Sequence, residues 1–221
     1  MKFYESGDSS KPVIFLFPGT CCLYSSFDHI LDRLHSYFYT VTVSYDGFDP
    51  NEKTEFYSME DECEKIEQEI KKKYDGRIKA AYGCSLGGSF VSLLIQRKRI
   101  HIDHGIIGSS DMDEAGQFMA KIQSSVVVPI MYKMVHTGKL SKFMQKKINE
   151  ADESRKKLID GFVNMFGIDK GGSPWITKQS IYNQFYSDLV TKVQHGIDVP
   201  GTTIHVFYAT KMGKKYEKRY C

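Results

Sequence analysis

One serine in this chain sits among glycines in a way that suits nucleophilic chemistry: Gly83-Cys84-Ser85-Leu86-Gly87-Gly88. A serine hydroxyl is a poor nucleophile until a base removes its proton. If it is presented on a strained strand-to-helix turn, the positions two before and two after it are crowded and must lack bulk. Gly83 and Gly87 fill those places, and Gly88 follows. The alkoxide that develops on a substrate needs preorganised N–H donors, and a helix beginning just after Ser85 offers one together with a favourable dipole. The competing reading is a glycine-rich turn that cradles phosphate. Against it, the stretch lacks both the GxGxxG spacing and the GK[ST] ending.

The elements that must hold this serine follow from hydrophobic pattern. "RIKAAYG" (Arg77 to Gly83) reads as a strand, and "GGSFVSLLIQRK" as a helix with Phe90, Val91, Leu94 and Ile95 inward. Upstream, Pro12 to Phe17 is a near-continuous apolar run that suits a doubly buried strand, stopped by Pro18-Gly19. Phe27, Ile30, Leu31, Leu34 and Phe38 recur at helical spacing, giving a helix from about Ser25 to Phe38. Tyr39 to Tyr45 is a β-branched strand closed by Asp46-Gly47. The next helix opens at Ser58 and Asp61 in capping-box fashion. Met59, Cys63, Ile66, Ile70 and Tyr74 line one face, and its acidic start and Lys71-Lys72-Lys73 end match the macrodipole. Ile100 to Ile107 is a fourth strand and Thr202 to Ala209 a fifth. Strict alternation implies an α/β fold, a mostly parallel sheet with helices on both faces.

Between residues 114 and 198 no strand pattern appears. The segment reads as helices broken at Pro129, Gly138, Gly161, Gly171-Gly172 and Pro174, and it is rich in methionine and aromatic residues. The expected division is therefore a core of residues 1–113 and 199–221 interrupted by a helical cap of residues 114–198. Its apolar side chains pack on the core in the simplest case. In the sharper one they also roof an apolar pocket over Ser85, with Met119, Met131, Met134, Met144 and Met165 adapting to an acyl chain.

Composition narrows the classes. The net charge is only +3, and basic residues are interleaved with acidic ones, so nothing points to nucleic acid. There is no 18-residue apolar run and no signal core at the start, so stable membrane insertion is not expected and a cytoplasmic location is. Five cysteines without a CxxC pair argue against a disulfide scaffold or a zinc site. Cys21 and Cys22 read as small packing residues in a loop.

With the glycine-flanked serine between strand and helix, the chain resembles the α/β-hydrolase family, "GCSLGG" standing as its nucleophile elbow. The resemblance runs from Pro12 to Asp111 and returns at Thr202. It implies Ser85 as nucleophile, with oxyanion donors from the backbone N–H of Leu86 and of Thr20 or its neighbour Cys21. Pro18-Gly19 stands where the family usually has His-Gly. It also implies a serine hydrolase that cleaves a carboxylic ester or thioester through an acyl-serine intermediate, and the methionine- and aromatic-rich insertion adds the expectation of an apolar acyl group. No metal or organic cofactor is implied, and the partner is a small ester-like substrate.

The family's triad also needs an acid and a histidine. Asp111, after the fourth strand, is the acid candidate, with Asp113 second; both also suit loop capping. Glu217 lies too far along the chain. No histidine occupies the expected place. His29, His35, His101, His104 and His205 fall on helices or strands, His195 precedes the last strand, and His136 in the cap is the least implausible base. The expectation is a chain that stops before the histidine loop. The alternative is a hydrolase-like protein without catalysis that binds a small apolar ligand.

Overall fold

The computed structural model describes residues 1–110, 114–140, 145–146, 150, 152–168, 171–194 and 196–207. Among these residues six strands form one mixed sheet: β1 (Lys2–Ser6), β2 (Val13–Phe17), β3 (Tyr39–Ser44), β4 (Arg77–Cys84), β5 (His101–Gly108) and β6 (Thr203–Phe207), in the order β1-β3-β2-β4-β5-β6. Among the described strands only the β1–β3 pair is antiparallel. The five strands read from hydrophobic pattern are all present. β1 is the addition: its "KFYES" is too short and too polar to signal a strand, yet Phe3 packs edge-on to Phe15 and Tyr4 stacks on Tyr24.

Helices cover both faces of the sheet. A 3-10 turn (Tyr24–Phe27) leads into α1 (Asp28–His35), whose Ile30, Leu31 and Leu34 close over Ile14, Leu16 and Ala80. The opposite face holds the larger core, where α2 (Met59–Lys73) and α3 (Leu86–Arg97) bury Met59, Cys63, Ile66, Ile70, Phe90, Val91 and Leu94 against Phe15, Phe17, Val41 and Val43. The side chain of Ser58 accepts the Asp61 N–H at 3.1 Å, the N-cap that the sequence announces.

Beyond β5 lie α4 (Gln117–Thr137), α5 (Glu153–Met165) and α6 (Lys178–Val190). Two of the expected breaks do not occur: α4 runs through Pro129 and α5 through Gly161. A mid-helix proline forfeits one hydrogen bond, but α4 buries Val128 and Val135 on either side of it, and that packing holds the helix together. Gly138 does end α4, in the left-handed conformation with φ 63°. α6 is tied to the main core. The Asn183 side chain donates to Phe56 O at 2.8 Å, Phe56 N–H donates to Ser180 Oγ at 3.3 Å, and Ile181 lies in the core cluster.

Candidate active site

β4 delivers the chain to Ser85, and α3 begins at the next residue. Ser85 has φ 53° and ψ −123°, a conformation that costs a non-glycine residue on the order of 1–3 kcal/mol. Its backbone is fixed from two sides: its N–H donates to Gly108 O at 3.0 Å, and its carbonyl accepts from Gly88 N–H at 2.8 Å. The side chain is exposed rather than packed away. A Cβ on Gly83 would stand 1.9 Å from Gly87 O, and one on Gly87 would stand 2.1 Å from Phe17 O. Both contacts are with backbone, which cannot step aside. The glycines at minus two and plus two are thus steric requirements of the bend. Gly88 is constrained as well, since a Cβ there would meet Ser110 Cβ at 2.7 Å.

The loop after β2 lies against this bend. A Cβ on Gly19 would be 3.2 Å from Cys84 O and 3.5 Å from Ser85 Cβ. Residues 19–22 form a tight turn, with Cys22 N–H donating to Gly19 O at 3.0 Å and Cys21 at φ 59°. Cys21 N–H is consumed by Gln184 Oε1 of α6 at 2.8 Å, so of the two candidate donors in this loop only Thr20 remains. Neither Thr20 nor Leu86 donates its backbone N–H to a backbone acceptor among the described residues, and Leu86 N–H belongs to the unpaired first turn of α3. Thr20 and Ser85 share one cavity of 440 Å³, lined also by Glu114, Ala115, Gln123, Phe185, Asp188 and Leu189.

That lining differs from the apolar roof expected from the cap's composition. Thr20, Ser85, Glu114, Gln123 and Asp188 are polar, and no described methionine reaches the cavity. Glu114, Gln123, Gln184 and Asp188 carry no signal of their own in the sequence, because they sit in a segment whose local pattern is apolar periodicity. Asp111 and Asp113 lie outside the described residues, as do His195, Glu217 and Met144.

No histidine among the described residues lines the cavity. His35 is engaged with Ser6 Oγ at 3.0 Å and Thr40 Oγ1 at 3.1 Å. His104 and His205 face each other across β5 and β6, Nδ1 to Nε2 at 3.2 Å. His136 packs beside the Tyr132 ring with its Nδ1 buried. Burial pushes the Cys22 thiol up to about 12 and raises those of Cys21 and Cys84, which disfavours their thiolate forms. Among the described residues no group of three or more His, Cys, Asp or Glu could hold a metal ion.

Similar architectures exist among solved structures. An α/β-hydrolase family protein of Desulfitobacterium hafniense superposes with a TM-score of 0.67 at 14% identity, covering 99% of this chain and 96% of that one. The chain has the α/β-hydrolase fold. A carboxylesterase structure from Nitrososphaera gargenis gives 0.68 at 14% identity, over 98% of this chain and 81% of the other. The fold does not fix the reaction, because 1H-3-hydroxy-4-oxoquinoline 2,4-dioxygenase also superposes, at 0.65 and 14% identity over 98% and 80%. No protein-family model matches the sequence, and no curated protein matches it.

Proposed function

We propose that the chain is a serine hydrolase acting on a carboxylic ester or thioester with a small, polar acyl group. The observation that carries this reading is the backbone of Ser85, bent to φ 53° at the strand-to-helix turn with its side chain exposed beside a cavity. Ser85 Oγ attacks the substrate carbonyl carbon as its proton passes to a base. The carbonyl oxygen takes up the negative charge and receives the N–H groups of Leu86 and Thr20. Collapse of the tetrahedral intermediate expels the alcohol or thiol, which takes a proton, and leaves an acyl-serine for water to cleave. Each such donor contributes about 3–4 kcal/mol to the transition state. The fold shared with the Nitrososphaera carboxylesterase supports the reaction class, and the polar lining supports a polar acyl group over an apolar one.

Among the described residues, the ionisable side chains that line the cavity are Glu114 and Asp188. A carboxylate accepts the serine proton far less readily than a base poised near neutrality. Acylation is therefore slow unless a group beyond the described residues assists. That same observation favours a second reading, a small-ligand binder on this scaffold in which Ser85 does not turn over.

A fluorophosphonate probe separates the two. Stoichiometric labelling of the wild type, abolished in Ser85→Ala, supports the hydrolase, and p-nitrophenyl acetate should then be preferred to the octanoate. A folded protein that resists labelling and cleaves neither ester overturns it.

A further inference from the structure

Helix α4 is apolar on both sides. Its inner side buries Ala120, Val128, Met134 and Val135, with Ser124 among them. Its outer side leaves Phe118 75% exposed, Val126 62% and Ile130 60%, with Met119 and Ile122 exposed beside them. Phe118, Ile122, Val126 and Ile130 follow at four-residue steps, so they stack into one stripe roughly 18 Å long. A contiguous apolar patch left exposed on a helix that already buries its other side marks an interaction site.

Charge says which kind. The helix contains no Asp or Glu. Its lysines, Lys121 and Lys133, are both exposed, and neither makes an ion pair among the described residues. At about 100° per residue, Lys121 flanks the stripe and Lys133 prolongs it by one turn. Apolar side chains bracketed by cations, on a helix that itself holds no carboxylate, suit the boundary between headgroups and acyl chains of an anionic lipid layer. A second copy of the chain suits the stripe less well. A twofold pairing of α4 with itself would gather the lysines of both helices with no carboxylate from either.

We propose that α4 docks this protein onto anionic lipid surfaces, lying flat with the Phe118–Ile122–Val126–Ile130 stripe in the interface. This is surface attachment: among the described residues no helix is long and apolar enough to cross a membrane. Gln123 of the same helix lines the Ser85 cavity, so the docked element also borders the candidate site.

Co-sedimentation with vesicles tests this. The wild type should partition onto vesicles of equal parts phosphatidylglycerol and phosphatidylcholine about tenfold better than onto phosphatidylcholine alone, and less well as salt rises. Val126→Ser with Ile130→Ser alters exposed positions only, so its thermal melt should match the wild type while partitioning falls about tenfold or more. Lys121→Gln with Lys133→Gln should lower it about tenfold. Ser85→Ala should partition like the wild type, which keeps the result independent of hydrolysis. The proposal is overturned if anionic vesicles capture no protein, or if the double serine variant binds them unchanged. It is equally overturned if sedimentation equilibrium finds a dimer that this variant dissolves, because the stripe is then covered by a second copy.

Discussion

Ser85 is held where an L-residue does not want to be, and the surroundings leave it no alternative. Its N–H is tied to β5, its carbonyl to α3, and the glycines on either side admit no side chain. A strained residue at a prospective reaction centre sets stability against function. Ser85→Gly should therefore raise the unfolding free energy by about 1 kcal/mol, measured by urea titration, while eliminating fluorophosphonate labelling. Gly83→Ala should do the reverse of a mild change: its methyl would overlap the Gly87 carbonyl, and a loss of roughly 3 kcal/mol or more is expected in the same titration. Gln184 acts one step removed. By accepting the Cys21 N–H it holds the turn that carries Thr20, so it is a positioning residue. Gln184→Glu keeps an acceptor there and should retain the labelling rate to within a few-fold. Gln184→Met removes it and should slow labelling about tenfold, with probe binding before reaction little changed.

Elements differ in how much of their purpose they carry locally, and α2 carries nearly all of it. Its cap, its apolar face and its graded charge are written in consecutive residues, and all appear as the pattern implies. Two acidic residues of α2, Glu62 and Glu67, are buried and hidden from such reading. Glu62 is fully buried, accepting the Asp46 N–H at 3.0 Å and the Lys65 ammonium at 2.8 Å. Burial raises its pKa to about 7 despite Lys65. A carboxyl whose folded pKa lies above its unfolded value binds protons more tightly when folded, so it favours folding at low pH. That contribution fades as pH rises from about 4.5 to about 7. Asp46 has the opposite shift, lowered with help from Lys65, and its contribution disappears only at more acid pH. Urea midpoints should thus decline between pH 5 and 7, and the decline should flatten in Glu62→Gln; an equal slope in both proteins would refute the assignment. The same contrast explains what the candidate site revealed in advance. The bend at Ser85 was legible because sterics act on adjacent residues. The Gln184–Cys21 bond joins residues 163 positions apart, and Gln123 and Asp188 reach the cavity only through the path of α4 and α6. Pro129 misled for the converse reason: a strong local signal was outweighed by burial along the rest of α4.

Across the whole molecule, protection is distributed unevenly, and the unevenness touches the site. β2, β3 and β4 lie between the α1 layer and the α2–α3 layer, with Phe15, Phe17, Val41 and Val43 fully buried. Among the described residues β6 pairs with β5 alone, and all five of its residues are exposed, Ile204 and Val206 included. Strands held by one neighbour and little burial open locally at a small fraction of the global unfolding cost. Amide hydrogen exchange should accordingly find β2–β4 protected to near the global limit and β6 exchanging early, although both belong to one sheet. The order has a consequence for Ser85. Ser109 N–H is held by Phe207 O at 2.7 Å, Ser109 has φ 47°, and the next residue, Ser110, packs against Gly88 at the start of α3. When β6 opens, that bond goes with it, and the support behind the first turn of α3 loosens. Phe207→Gly should thus speed exchange at Ser109 and Ser110 and leave β2 unaffected. Protection at β6 equal to that of β2 would show instead that the sheet opens only as a unit.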